Sequence, residues 1–289
     1  MLALMFALLL SDSGVPARVQ TDEMPAACRR DANGAVDPQA CADAAPVGSP
    51  VRGLALINLA RNAYIEGDYA TALRLYDEAQ PPGQTMASDV LFHTFRADTY
   101  AHAGRDGPAL VEAGTAWRRL NGEPATGNPA DDLVVTDPLR FEVLLRILPI
   151  LKMGDAAVFN DAKTMFLGLP AADPEALTNR AAVLSEIGMT DQAVQDSARA
   201  LAMAPDHPVL LNNHCSILND TGRSQEALAY CERAVAGMPN IGAIRHSYAT
   251  ALANTGQCEG ARREIAEARR LDPSRALYAE PLTCTPAGR

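Results

Sequence analysis

The chain has 289 residues, 48% hydrophobic and 21% charged, a composition that can bury a sizeable core and that excludes a disordered polypeptide. Its formal net charge is −10 and lysine occurs only at Lys152 and Lys163. This argues against nucleic acid as a partner, because phosphate binding needs a concentrated basic surface.

Residues 1–17 open with an apolar run, Met1 to Leu10, followed by Val15, Pro16 and Ala17 at a small-residue cleavage site. The pattern is that of a secretory signal peptide lacking its basic n-region. The run is too short to span a bilayer, so no transmembrane span is expected. The expected location is periplasmic or otherwise exported, with the cytoplasm as the alternative. Residues 18–51 are rich in Ala, Asp, Pro and Gly without periodicity and read as a linker-like segment holding Cys28 and Cys41.

Residues 52–121 carry two helical hairpins. The first shows Leu59, Ala60, Gly67, Asp68, Tyr69, Ala72 and Tyr76 and is followed by Pro81 and Pro82; the second shows Ala97, Tyr100, Gly104, Ala109 and Ala116. Pro108 falls in the first turn of a helix, where proline is tolerated. Residues 122–173 hold a Gly-, Pro- and Asp-dense loop and then a divergent hairpin with Pro149 as a kink, Gly154 at the turn and Phe159 at a small-residue position.

Residues 174–275 repeat a pattern at intervals of 34: Gly188, Gly222 and Gly256; Ala193, Ala227 and Ala261; Ala200, Ala234 and Ala268; Pro205, Pro239 and Pro273. Within one unit, Leu177, Ala181 and Leu184 mark one buried helical face. Gly188 breaks that helix, and a second starts from Thr190 as N-cap. Such hairpins cannot bury their apolar faces alone and must stack. Arg262, Arg263, Arg269 and Arg270 are interleaved with Glu259, Glu264 and Glu267, which predicts an ion-paired, solvated helix face. Residues 276–289 form a C-terminal cap over the open end of the stack.

These units resemble the tetratricopeptide repeat family of exported bacterial type, through Leu177, Ala181, Gly188, Ala193, Ala200 and Pro205 and their counterparts one and two units on. Leu211 and Cys215 keep the pattern; Arg245 departs from it, standing where an apolar residue belongs. The resemblance implies an all-α solenoid of stacked hairpins with a right-handed superhelix and a capping C-terminal segment. It also implies that first helices line a concave groove for a protein or peptide segment. Carried over residue by residue, the groove positions are Thr178, Asn179 and Ser185; Asn212, Asn213, Ser216 and Asn219; and His246, Ser247, Thr250 and Asn254. This neutral, amide-rich surface suits an extended peptide backbone. It lacks the basic residues with which some relatives clamp a terminal carboxylate, so an internal segment is the expected ligand.

Six cysteines fall into neighbour pairs, Cys28 with Cys41, Cys215 with Cys231, and Cys258 with Cys284, which suits disulfides in an oxidising compartment. Sequence order leaves the connectivity open, and the alternative for Cys215 and Cys231 is that they are small buried hydrophobes. His214, Cys215, Cys231 and His246 lack CxxC or HxxxH spacing, so no metal is expected. With no GxSxG, P-loop, GxGxxG or HExxH motif, neither a cofactor nor catalysis is expected. The leading reading is an exported scaffold in envelope assembly or tethering. The alternative is an enzyme or metal or thiol-redox protein with its site in the irregular N-terminal half.

Overall fold

The computed structural model describes residues 25–29, 35–79, 90–122 and 135–284, and among them every regular element is helical. They belong to two compact units, Met1–Leu169 and Pro170–Arg289. In the first, α1 (Pro38–Ala44) precedes three hairpins: α2 (Pro50–Ile65) with α3 (Tyr69–Ala79), α4 (Val90–His102) with α5 (Asp106–Leu120), and α6 (Asp137–Leu151) with α7 (Ala156–Gly168). In the second, α8 (Pro174–Glu186) pairs with α9 (Thr190–Met203), α10 (Pro208–Asp220) with α11 (Ser224–Gly237), and α12 (Gly242–Asn254) with α13 (Cys258–Leu271), before the single turn α14 (Ala276–Ala279).

Proline starts several first helices. Pro50, Pro174 and Pro208 sit in the first turn, where no intrahelical N–H is lost. Ser49 and Asp173 accept backbone N–H groups from the turns they cap. The turns inside the hairpins share one geometry. Gly67, Gly104, Gly188, Gly222 and Gly256 all have positive φ, a region open to glycine at no steric cost. The next N–H reaches back five residues, as in Met189 to Leu184 O at 2.7 Å, Arg223 to Leu218 O at 2.7 Å and Gln257 to Leu252 O at 2.8 Å. This is a Schellman closure, which satisfies carbonyls the helix end leaves open. It also places the N-cap of α9 at Met189, without a side-chain cap bond, so Thr190 is the first helical residue rather than the cap expected from sequence. Gly154 does not join the set, since its φ is not positive. A Cβ there would lie 2.7 Å from Leu110 Cδ1, so that side chain would have to shift to admit one.

Small residues let the paired helices touch. Ala60, Ala72, Ala97, Ala109, Ala181, Ala193, Ala227 and Ala249 are all fully buried at 0% exposure. In the divergent hairpin, Ala162 and not Phe159 is the small buried residue, and Phe166 fills the remaining space with its ring stacked on Phe141. Helix α6 continues through Pro149, close to its end, to Leu151. The departure at Arg245 is absorbed next door: Ile244 is 3% exposed and joins Leu211 and Ala234 in one cluster. Arg245 forms a part-buried ion pair with Glu264 of α13 at 2.6 Å. The expected ion-paired face of α13 is realised at Arg270 with Glu267, while Arg269 instead holds carbonyls of the C-terminal tail.

Both ends are incomplete repeats. Within the segment expected to be linker-like, Asp37 caps α1, and Cys41, Ala42 and Ala45 pack into one cluster with Ala55, Leu56 and Ala60. An amphipathic turn was hidden there by the surrounding Ala, Asp and Pro. Cys41, Ala42 and Ala45 precede the buried Leu75, Tyr76 and Ala79 by 34 residues each, so α1 stands as a shortened second helix. At the other end, first helices begin at Pro174, Pro208 and Gly242, and α14 begins 34 residues later at Ala276. Tyr278, 34 residues after Ile244, repeats its burial against Ala249, Ile265 and Ala268. Disulfides join Cys28 to Cys41, Cys215 to Cys231 and Cys258 to Cys284. The signal-like residues 1–17 lie outside the described residues.

Candidate functional site

The groove positions expected from sequence lie on α8, α10 and α12, and the structure divides them in two. Of those on α12 together with Asn219, Asn219 and Ser247 are buried, His246 and Thr250 are half-buried and Asn254 is exposed, and each has a partner within the protein. Asn219 is 8% exposed and its Nδ2 donates to the Ser247 carbonyl at 3.0 Å, bracing α10 against α12. Ser247 is itself buried and donates to Ala243 O at 3.1 Å. Thr250 donates to His246 O at 3.0 Å, and Asn254 Nδ2 to Ser224 Oγ at 3.0 Å. The His246 ring lies stacked against Tyr278, with centroids 5.4 Å apart. Asn219, His246 and Asn254 thus reach across to neighbouring elements, while Ser247 and Thr250 bond within α12.

The positions on α8 and α10 are different. Thr178, Asn179, Ser185, Asn212, Asn213 and Ser216 are all half-buried. Thr178 Oγ1 and Asn212 Oδ1, one repeat apart at the same position, are enclosed oxygens without a hydrogen-bond partner, as is Oδ1 of the buried Asn219. Such an oxygen is costly to leave unmet. The helices are anchored from beneath: Arg180 forms a two-pronged pair with Asp196, at 2.6 and 3.0 Å, tying α8 to α9. Ser197 meets His214 Nδ1 at 2.8 Å, tying α9 to α10. Both ties are buried, so the polar row stands on a fixed base.

No family model matches the sequence, and no curated protein matches it either. Among solved structures, a tetratricopeptide repeat protein from Parabacteroides merdae ATCC 43184 is similar at a TM-score of 0.58 and 14% identity, over 84% of this chain and 90% of that one. The chain has the tetratricopeptide-repeat fold. Weaker likenesses are to TTC0263, a thermophilic TPR protein of Thermus thermophilus, with 17% identity over 78% and 95% of the two chains and a TM-score of 0.39. YrrB, described as a TPR protein with an unusual peptide-binding site, has 14% identity over 78% and 90% and a TM-score of 0.35.

The tetratricopeptide hairpins of the first unit carry a cluster that sequence reading missed. Asp98 on α4 receives Tyr64 Oη of α2 at 3.0 Å and Arg146 Nη1 of α6 at 2.9 Å, with His102 Nδ1 at 3.2 Å. Burial opposes ionisation of Asp98, but His102, Arg146 and Tyr64 together outweigh it and hold the carboxyl below its ordinary range. The Phe95 ring is flanked by Arg61 at 4.5 Å and Arg146 at 4.8 Å. Asp98, the one acidic residue of α4, was the available signal. Asp98 joins three first helices and serves as a bracket.

Among the described residues no group of three or more His, Cys, Asp or Glu side chains is placed to hold a metal ion. Cys215 and Cys231, 5.3 Å apart at Cα, are bonded to one another, and His214 is occupied by Ser197 and by the edge of Tyr230. No described helix is long and apolar enough to cross a membrane.

Proposed function

We propose that this protein is an exported tetratricopeptide scaffold that holds an extended, internal segment of a partner protein against α8 and α10, in envelope assembly or tethering. The observation that carries the reading is the half-buried polar row Thr178, Asn179, Ser185, Asn212, Asn213 and Ser216, in which Thr178 Oγ1 and Asn212 Oδ1 are enclosed without a partner, set on helices braced from beneath by Arg180 with Asp196 and Ser197 with His214. Amides and hydroxyls both donate and accept, so they match a peptide backbone irrespective of its side chains. The row is uncharged, which suits a chain interior over a charged terminus. Export is supported by the apolar N-terminal run and by three disulfides, which persist in oxidising compartments.

The test is capture of a partner from an envelope extract, followed by titration of the captured segment as a synthetic peptide. Asn179→Ala with Asn213→Ala should weaken it by about 1 kcal/mol per lost hydrogen bond, roughly thirtyfold in Kd together. Equal affinity of the double variant would remove α8 and α10 from consideration.

A further inference from the structure

Three disulfides staple the chain, and they are not equivalent. The sulfurs of Cys28, Cys41, Cys215 and Cys231 belong to residues 7%, 4%, 0% and 1% exposed. Cys258 is 9% exposed, but Cys284 is only half-buried, in the irregular segment after α14. An incoming thiol therefore meets Cys284 first. Cys258 is the first residue of α13, a helix of 14 residues. A thiolate released there lies against the unsatisfied N–H groups and positive end of the helix dipole, which makes it a good leaving group.

What this bond holds down is the incomplete fourth repeat. Apart from the disulfide, the tail is kept by Tyr278, by Leu282 beside the same cluster, and by Arg269 donating to the Tyr278 carbonyl. Helix α14 is one turn, too short to persist alone. Gly242 has no side chain where Tyr278 enters; a Cβ would stand 3.0 Å from Tyr278 Cε2. Under the tail lie Ala249, Ile265, Ala268 and the ring of His246, a groove position.

We propose that Cys258–Cys284 is a reducible latch and that residues 272–284 are the plug it holds over the end of the second unit, opened by a dithiol reductant. One thiolate of the dithiol attacks Sγ of Cys284; the Cys258–Cys284 bond breaks, and its electron pair leaves on Sγ of Cys258. The second thiol of the reductant then displaces Cys284, so the reductant becomes a disulfide and the protein gains two electrons and two protons. The freed tail uncovers His246 and the apolar face behind it. That the opened end extends the peptide groove rests on the function proposed above; the latch itself does not.

The experiment needs no partner, so its failure is distinct from failure of the groove. The oxidised full chain is poised in buffers of graded reduced and oxidised dithiothreitol, acid-quenched, alkylated and mapped by mass spectrometry, with hydrogen exchange measured on the same samples. Cys258 and Cys284 should be alkylated under conditions that leave the other four cysteines bonded. Amide exchange in 242–253 and 272–284 should then rise by about tenfold or more, while α8 to α11 stay protected. The variant Cys258→Ser with Cys284→Ser should show the opened exchange pattern under oxidising conditions. Another bond opening first, all three opening together, or opening without faster exchange in the tail would overturn the latch.

Discussion

At the scale of single residues, two asparagines in neighbouring parts of one helix have opposite work. Asn219 donates across to the Ser247 carbonyl, whereas Asn213 meets no internal partner. Asn219→Ala should cost about 1–2 kcal/mol of stability, read as a lower urea midpoint, while Asn213→Ala should leave the midpoint unchanged. The reverse ranking would contradict the division of the row. Repeat position told that both face the first-helix side. It did not tell which would be covered, because that depends on how closely α12 packs on α10. His214 offers a second test. Burial depresses its pKa, Arg223 adds to the effect and Glu226 opposes it; His246 is depressed by burial and then by Arg275. The unfolded chain takes up protons as pH falls through about 6.5, where the folded protein does not, so stability is full above that value and declines below it. The melting temperature should fall between about pH 7.5 and 5.5, and His214→Asn should flatten the decline. A profile unchanged by the substitution would place the sensitivity elsewhere.

At the scale of elements, the 34-residue step fixes which helix faces meet. Ala227 is fully buried where α10 and α11 touch. Ala227→Leu should destabilise the protein by about 1–3 kcal/mol through overpacking, seen in the same urea titration; an unshifted midpoint would mean that the face is misassigned. The step was legible in the sequence because glycine turns and alanine contacts tolerate few alternatives. The exchange of Arg245 for Ile244 was not, since an arginine at the expected apolar position gives no sign of which neighbour takes its place. The incomplete repeats at α1 and α14 were hidden for a related reason: each is too short to show periodicity, and only the partner helix reveals its buried side. Tyr278→Ala should therefore cost about 3 kcal/mol, as deletion of a buried ring does, and a stability equal to the parent's would show that the tail is not part of the stack.

At the scale of the whole molecule, a net charge of −10 and a cross-linked, all-helical body fit a protein that works by presenting surface. The fold was legible because stacking repeats must declare themselves in sequence. The partner was not, because an uncharged polar row carries no charge pattern from which a ligand could be read. The central claim is that α8 and α10 hold an extended segment. Hydrogen exchange of the full chain, with and without the captured peptide, tests it most directly. Protection concentrated in 174–186 and 208–220, with 190–203 and 224–237 unchanged, is the result predicted; protection confined to those second helices, with α8 and α10 unaltered, would contradict it.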